Sequence, residues 1–152
     1  MKDKNHYMRL AIRQAEKGQA IDEVPVGAVI VLDGKVIARA YNKKETLNRC
    51  TAHAEILAIE KAEKKLGTWH LDGAEMYVTL EPCPMCAGAI AGARVKKLYF
   101  GAYEPKSGSA ESRFPILTES GLNHVTEYEG GVLEENCATL LKNYFKAKRK
   151  QK

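Results

Sequence analysis

The apolar residues of this chain recur at intervals that change from helical to strand-like spacing. From residue 6 to about residue 17 they recur every three or four positions, which predicts a helix that Gly18 ends. Apolar runs at residues 27–32 and 35–41 follow, and Asp33-Gly34 between them is a strong two-residue turn signal. These features predict a helix followed by a β-hairpin.

The rest of the chain continues to alternate between the two patterns. We predict helices at residues 51 or 53 to 66, 85–92 and 134–148, and strands at residues 76–80, 95–100 and 125–128. Loops are predicted at residues 42–50 and 102–112, with a short turn of helix near 114–117. On the final helix, the inward-facing residues are expected to be Leu140, Leu141, Tyr144 and Phe145. Strands alternating with helices predict one layered α/β domain over residues 1–152.

Composition and charge narrow the class of protein. The chain is 45% hydrophobic and 28% charged, as in ordinary globular proteins. It contains no run of about 18 apolar residues, so no membrane-spanning helix is predicted. Residues 1–6 are polar and lack the apolar core of an export signal, so we expect a cytoplasmic protein with reduced or metal-bound cysteines. The net charge of +5 is concentrated in a basic C-terminal helix and tail from about residue 134, typical either of a solvated helix end or of a phosphate-binding surface.

Two short segments carry the candidate chemistry. Thr51-Ala52-His53-Ala54-Glu55 contains the pattern H-x-E, and Pro82 to Cys86 contains P-C-x-x-C. Zinc binds nitrogen and sulfur ligands in a tetrahedron, and a catalytic site uses three of them and keeps one position open for water. His53, Cys83 and Cys86 supply three such ligands. Glu55, which is not expected to be a ligand, would then move protons between water and substrate.

This combination matches the signature of zinc-dependent nucleobase deaminases. Two other interpretations use the same cysteines. A C-x-x-C pair alone is also found in redox proteins, although here it follows Glu-Pro and is accompanied by H-x-E. Alternatively, Cys50 would join the other three ligands in a closed structural zinc site of a binding module. Cys137 is expected to be a core residue, and His6, His70 and His124 lack a partner at metal-ligand spacing.

The chain resembles the cytidine/nucleotide deaminase superfamily and, within it, the bacterial tRNA-specific adenosine deaminases. The matching segments extend over nearly the whole chain and are EVPVGA (23–28), AYN (40–42), TAHAE (51–55), YVTLEPCPMCAG (77–88), YFGA (99–102), LNH (122–124), GVL (131–133), and Tyr144-Phe145 with Arg149. The resemblance implies a three-layer cytidine-deaminase-like domain, with a central mixed sheet of about five strands and helices on both faces. It also implies one zinc ion per chain and a homodimer.

The resemblance implies roles for further residues. Asn42 would hydrogen-bond the target base, Val26 would pack against it, and the Ala54 backbone would hold its ring edge. The RNA-facing residues are expected to be Lys106, Phe145 and Arg149. Departures from the family pattern at His70, Tyr103-Glu104 and Arg113 all lie in segments that would meet RNA.

The implied reaction converts the wobble adenosine of a tRNA anticodon to inosine. Anticodon loops present unpaired bases, so a target base can enter a pocket at modest energetic cost. A deaminase of a free base or nucleoside, such as guanine or cytosine, uses the same zinc motif and remains an alternative. The basic C-terminal helix favours RNA.

Overall fold

The architecture was determined from a computed structural model that describes residues 2–151. The predicted domain also includes Met1 and Lys152, which lie outside the described residues. The elements in chain order are α1 (Lys4–Ala20), β1 (Gly27–Leu32), β2 (Lys35–Tyr41), α2 (Lys44–Leu47), α3 (Ala54–Leu66), β3 (Glu75–Leu80), α4 (Pro84–Gly92), β4 (Lys97–Ala102), α5 (Ile116–Glu119), β5 (Glu127–Glu129) and α6 (Glu134–Lys150). Within residues 2–151, no helix has both the length and the apolar content needed to cross a bilayer.

The five strands form one mixed sheet in the order β2-β1-β3-β4-β5. β1 pairs antiparallel with both β2 and β3, whereas β4 pairs parallel with β3 and β5. The predicted α/β fold with a mixed five-stranded sheet is therefore confirmed.

Helices cover both faces of the sheet because the central strands are apolar on both sides. In β1, Val29 and Val31 face the layer of α1 and α6, whereas Ala28 and Ile30 face α3 and α4. Alternating side chains of a strand point to opposite faces, so a continuous apolar run is typical of a strand buried on both sides. The three-layer arrangement follows from this composition.

Several element boundaries differ from the prediction. The segment expected to be a loop at residues 42–50 contains α2, which ends where Asn48 adopts a left-handed conformation. β4, predicted at residues 95–100, runs from Lys97 to Ala102. It contains Gly101, where a Cβ would overlap Cys137 of α6. β5 begins at Glu127, since Thr126 is still bonded to Val95 and Leu117.

The final helix buries fewer aromatic residues than expected. Cys137 and Tyr144 are buried, which confirms that Cys137 is a core residue. Phe145, however, is 45% exposed, so its predicted inward orientation is wrong. The Tyr144 hydroxyl donates to the carbonyl of Asp22, in the segment after α1. The next residue of the helix is rotated by about 100° and points away from this segment.

Candidate metal centre and substrate pocket

The three candidate ligands are carried by two helix N-termini. His53 precedes the first residue of α3, and Cys83 precedes Pro84, the first residue of α4. Neither His53 nor Cys83 uses its side chain to cap its own helix. Cys86 lies in the first turn of α4 and is fully buried. A side chain at the start of a helix often accepts a hydrogen bond from the helix amides. Here the His53 and Cys83 side chains point toward each other instead.

The distances between the ligand atoms fit a tetrahedral zinc ion. Nδ1 of His53 lies 3.7 Å from the Cys83 sulfur and 3.5 Å from the Cys86 sulfur. Zinc bonds of about 2.3 Å to sulfur and about 2.0 Å to nitrogen, at a tetrahedral angle, place those two atoms about 3.6 Å apart. All three ligand atoms lie within 4.8 Å of one another, so these residues could hold a metal ion.

The two cysteines differ in their tendency to ionise. A hydrogen bond from Cys86, opposed by burial and supported by His53, lowers the pKa of Cys83 to about 4. The hydrogen bond to Cys83, together with burial, raises the pKa of Cys86. Metal coordination requires both sulfurs to be deprotonated, so binding of a dication would release the Cys86 proton.

Glu55 lies beside the three ligands but is not one of them. It is in the first turn of α3, and only 4% of its surface is exposed. Burial raises the pKa of its carboxyl group to about 7, while the charge of His53 acts in the opposite direction. A carboxyl group with a pKa near neutrality can both accept and return a proton, as general acid–base chemistry requires.

A cavity of about 240 Å³ opens onto the candidate centre. This volume is below the roughly 300–1,000 Å³ typical of sites for drug-sized ligands, which suits a single planar base. The cavity brings together two of the three predicted ligands, the acid–base residue and the predicted base-contacting residues; its walls include Val26, Asn42, His53, Ala54, Glu55 and Cys83.

The three residues predicted to contact the base lie on the cavity wall. The backbone N–H of Asn42 donates to the carbonyl of Val26 at 3.0 Å, so the two side chains are held on adjacent backbone segments. Ala54 is the first residue of α3, where a backbone N–H has no acceptor within the helix. An edge of a heterocycle with an acceptor atom could use that N–H.

The structure separates the remaining predicted residues from the centre. Cys50 is exposed and does not belong to the group of ligand atoms. His6, His70 and His124 are also outside this group. Phe145, Arg149 and Lys106 are exposed and do not line the cavity. An adjoining surface cavity is lined instead by Tyr144 and Lys148 of α6, together with Asn42 and Lys44.

Sequence reasoning missed six residues of the main cavity wall. In addition to the predicted residues, the cavity is lined by Val24, Lys44, Leu80, Glu81, Glu104 and Ser107. Glu81 lies within a segment quoted for the family resemblance, but no periodicity or ligand pattern distinguishes it. Glu104 and Ser107 belong to a loop whose position depends on contacts distant in sequence.

The mixed sheet and the H-x-E and P-C-x-x-C segments at one cavity define a deaminase of the cytidine-deaminase-like class. The family model of the MafB19-like deaminases matches residues 2–149. The chain is 51% identical to a tRNA-specific adenosine deaminase of Bacillus subtilis, over 96% of this chain and 91% of the relative. It therefore belongs to the family of tRNA-specific adenosine deaminases.

Solved structures give the same picture of the fold. A tRNA deaminase studied for A-to-I editing at the wobble position is 46% identical and has a TM-score of 0.88, covering 91% of this chain and all of that one. A guanine deaminase from Nitrosomonas europaea is 26% identical and has a TM-score of 0.77, covering 95% of this chain and 85% of that one. The fold is thus common to deaminases that act on different purines.

Proposed function

We propose that this protein hydrolytically deaminates the wobble adenosine of a tRNA anticodon loop to inosine, using one zinc ion per chain. The observation that carries the proposal is the triangle of His53, Cys83 and Cys86 beside the buried Glu55, at the base of a cavity sized for one base. We further propose that the whole of residues 1–152 acts as a single deaminase domain.

The three ligands would hold the zinc ion, and a fourth position would remain open toward the cavity. When bound, zinc supplies Lewis acidity that makes a water molecule a better nucleophile at neutral pH. Cys50 is exposed and outside the ligand group, which argues against a closed structural site with four protein ligands.

Glu55 would move the protons of the reaction. Its carboxylate accepts a proton from water as the oxygen bonds to C6 of adenine, and it returns that proton to N1. The carboxylate then transfers the proton of the new hydroxyl group to the exocyclic amino group. The C6–N bond breaks, and ammonia leaves with hypoxanthine remaining on the ribose.

The cavity wall would select and orient the base. Asn42 would hydrogen-bond the base through its side-chain amide, whose oxygen also accepts from the Lys44 N–H at 3.1 Å. Val26 would pack against the ring, and the first N–H of α3, at Ala54, would bind the ring edge. These contacts fix the distance between C6 and the carboxyl group of Glu55.

Two features favour RNA over a free base. Curated relatives at 51% and 46% identity are tRNA-specific adenosine deaminases, whereas guanine deaminases of known structure are 26% and 33% identical to this chain. Lysine side chains also lie around the cavity entrance, with Lys44 on its wall and Lys148 on the adjoining cavity. RNA contacts by Lys106, Phe145 and Arg149 and a cytoplasmic location belong to this same proposal.

The test compares substrates at equal concentration. Zinc-loaded protein is incubated with an anticodon stem-loop containing a wobble adenosine, with the same stem-loop carrying guanosine there, and with free guanine, cytosine and adenosine. We expect inosine and an equal amount of ammonia from the adenosine stem-loop alone. Turnover of guanine or cytosine without turnover of the stem-loop would show that the protein is a free-base deaminase.

We also propose that the protein is a homodimer. Trp69 and Leu122 are 61% and 48% exposed and line one surface depression together with Gly92 at the end of α4. Gly88, one turn earlier on α4, has open space where a Cβ would be. A helix with small, uncovered residues allows the close approach of a second chain.

Light scattering tests the dimer directly. We expect a mass of two chains for the natural protein and of one chain for Gly88→Arg, since a long charged side chain would prevent close packing of α4. Glu16→Arg on α1 adds a charge on the other face of the sheet and is expected to remain dimeric. A single-chain mass for the natural protein would contradict the proposal.

A further inference from the structure

A buried carboxylate outside the metal triangle is surrounded by the donors of a single loop. Glu81 lies between the end of β3 and Cys83, and 2% of its surface is exposed. Its oxygens accept hydrogen bonds from the backbone N–H groups of Glu104 (3.0 Å), Ala110 (3.2 Å), Glu111 (2.8 Å) and Ser112 (2.8 Å), and from the hydroxyl of Ser112. We call residues 104–112 the 104–112 loop.

These contacts replace a counter-ion. Among residues 2–151, the ion pairs involve other carboxylates, and none involves Glu81. A buried charge without a partner is strongly unfavourable, and charge-assisted hydrogen bonds from amides and hydroxyls are what offsets that cost. Every donor belongs to the 104–112 loop, so the hydrogen bonds that stabilise the buried carboxylate depend on the conformation of this loop.

The 104–112 loop packs closely against the carboxylate. A Cβ at Gly108 would overlap both the Glu81 carboxylate and the carbonyl oxygen of Glu104. The N–H of Ser109 donates to the carbonyl of Pro82 at 2.8 Å, which ties the loop to the residue before Cys83. The middle of the loop is therefore wrapped directly around the Glu81-Pro82 segment.

The 104–112 loop forms part of the substrate cavity. Glu104 and Ser107 line it together with His53 and Glu55, and Lys106 between them is exposed at the surface. We propose that Glu81 is a positioning residue: its carboxylate holds the 104–112 loop in place, so that the wall of the substrate cavity is formed before the base enters. This inference rests on the proposed function of the same cavity.

A preformed wall would affect substrate binding and alignment more than metal binding. If the loop were free, the base would have to order it on entering, which weakens binding and misplaces the ring relative to Glu55. In Glu81→Gln, one acceptor oxygen becomes an NH₂ group that faces N–H donors, and hydrogen bonds to the loop are lost. We expect kcat/KM for the stem-loop to fall between about tenfold and about 100-fold, with the larger part in KM.

The experiment uses the zinc-loaded full chain and two measurements. Hydrogen exchange of peptides covering the 104–112 loop reports its order without any substrate, and stem-loop kinetics report KM and kcat. Glu81→Gln is compared with Glu111→Gln, the same change at an exposed side chain of the same loop. Gly108→Ala disturbs the same contact from the side of the loop and leaves the Glu81 carboxyl group chemically unchanged, because the added Cβ would overlap the carboxylate and the Glu104 carbonyl oxygen. We expect faster exchange and a raised KM in Glu81→Gln and Gly108→Ala, natural values in Glu111→Gln, and an unchanged zinc content in all three.

Three outcomes would overturn the inference. The first is that Glu81→Gln shows the same hydrogen exchange and the same KM as the natural protein. The second is that Glu81→Gln loses zinc and that this loss causes its defect. The third is that the loop exchanges faster in Gly108→Ala while KM does not change. If Glu81→Gln does not fold, Gly108→Ala and Ser112→Ala, which removes one donor, decide the matter by the same measurements. Failure of the natural protein to act on the stem-loop would instead contradict the proposed function, and the exchange result would still show whether Glu81 orders the loop.

Discussion

At the scale of single residues, burial changes what an ordinary carboxyl group can do. Glu55 and Glu81 are both nearly inaccessible, but their surroundings differ. Burial dominates at Glu55 and raises its pKa to about 7. At Glu81 burial acts in the same direction, but hydrogen bonds from Ser112 and from loop amides outweigh it and lower the pKa. The first environment suits proton transfer, and the second suits a permanent charge.

Glu55→Gln tests the acid–base role. The amide keeps the size of the side chain but loses the ability to accept a proton from water. We expect inosine formation to fall by about 10²–10⁴-fold, while zinc content and the unfolding temperature stay at their natural values. Zinc loss in this variant would mean that Glu55 is a ligand, and retained activity would remove it from the mechanism.

Cys50→Ala distinguishes the open centre from a closed one. Cys50 is exposed and outside the ligand group, so we expect this variant to keep about one zinc ion per chain, as three-ligand sites do. Cys86→Ala is the matched control and should lose the metal. Elemental analysis of the purified variants measures both, and zinc loss from Cys50→Ala would support the closed structural site.

At the scale of elements, α2 shows how a helix can be capped from far away in sequence. Its N-cap residue, Lys43, makes no side-chain cap. Instead the buried carboxylate of Glu23 accepts from the N–H groups of Glu45 (3.2 Å) and Thr46 (2.6 Å), and from the Thr46 hydroxyl (2.6 Å). These are amides that a helix leaves unsatisfied. Glu23 thus fixes the position of α2, whose first residue, Lys44, lines the cavity together with Asn42.

Glu23→Gln should lower stability in a pH-dependent manner. Burial disfavours the charge of Glu23, but hydrogen bonds from Thr46 and Glu45 outweigh it and hold the pKa below its ordinary value. The stabilisation is therefore complete above the unfolded pKa of about 4.3 and is lost as pH falls through the lower folded value. We expect a deficit of about 1–3 kcal/mol in the free energy of unfolding near pH 7.

Denaturant unfolding at a series of pH values measures this deficit. The deficit should be constant at and above neutral pH, and it should shrink once the pH falls below the ordinary pKa of a glutamate side chain. Glu45→Gln, an exposed change in the first turn of α2, is the control and should show no such dependence. A deficit that grows toward acid pH would contradict the assignment.

At the scale of the whole molecule, part of the excess positive charge lies at the end of α6. The net charge is +5, and α6 ends in Lys148, Arg149 and Lys150. Lys148 also pairs with Asp22 at 2.5 Å, and the Tyr144 hydroxyl donates to the Asp22 carbonyl at 3.2 Å. α6 is thereby tied to the segment that leads into the cavity wall, so its exposed end lies within reach of a substrate larger than a base.

Single charge removals test whether RNA uses this surface. In an inactive Glu55→Gln background, we expect Lys106→Gln and Arg149→Gln each to weaken stem-loop binding. Each should also reduce the slope of log K against log salt by about one. Lys64→Gln, at the far end of α3, is the matched control and should leave the slope unchanged. Binding that does not depend on salt would show that these charges are merely solvated.

The periodic elements could be predicted because their signals are local. The helix at residues 134–148, the hairpin around Asp33-Gly34 and the strand at residues 76–80 each follow from spacing and turn residues within a few positions. α2 was missed because its cap, Glu23, lies about twenty residues earlier. The predicted orientation of Phe145 was wrong because the spacing of apolar residues along a helix does not show how far the neighbouring elements extend.

The sequence by itself determined the α/β class and the identity of the chemical groups, because ligand types at fixed spacing on helix starts are a local property. Only the tertiary structure decided that Cys50 stays outside the ligand triangle, that Glu55 is buried enough to titrate near neutrality, and that the 104–112 loop closes around Glu81. Those facts depend on distances between segments roughly 20 to 40 residues apart, and such distances are set by packing of the whole domain.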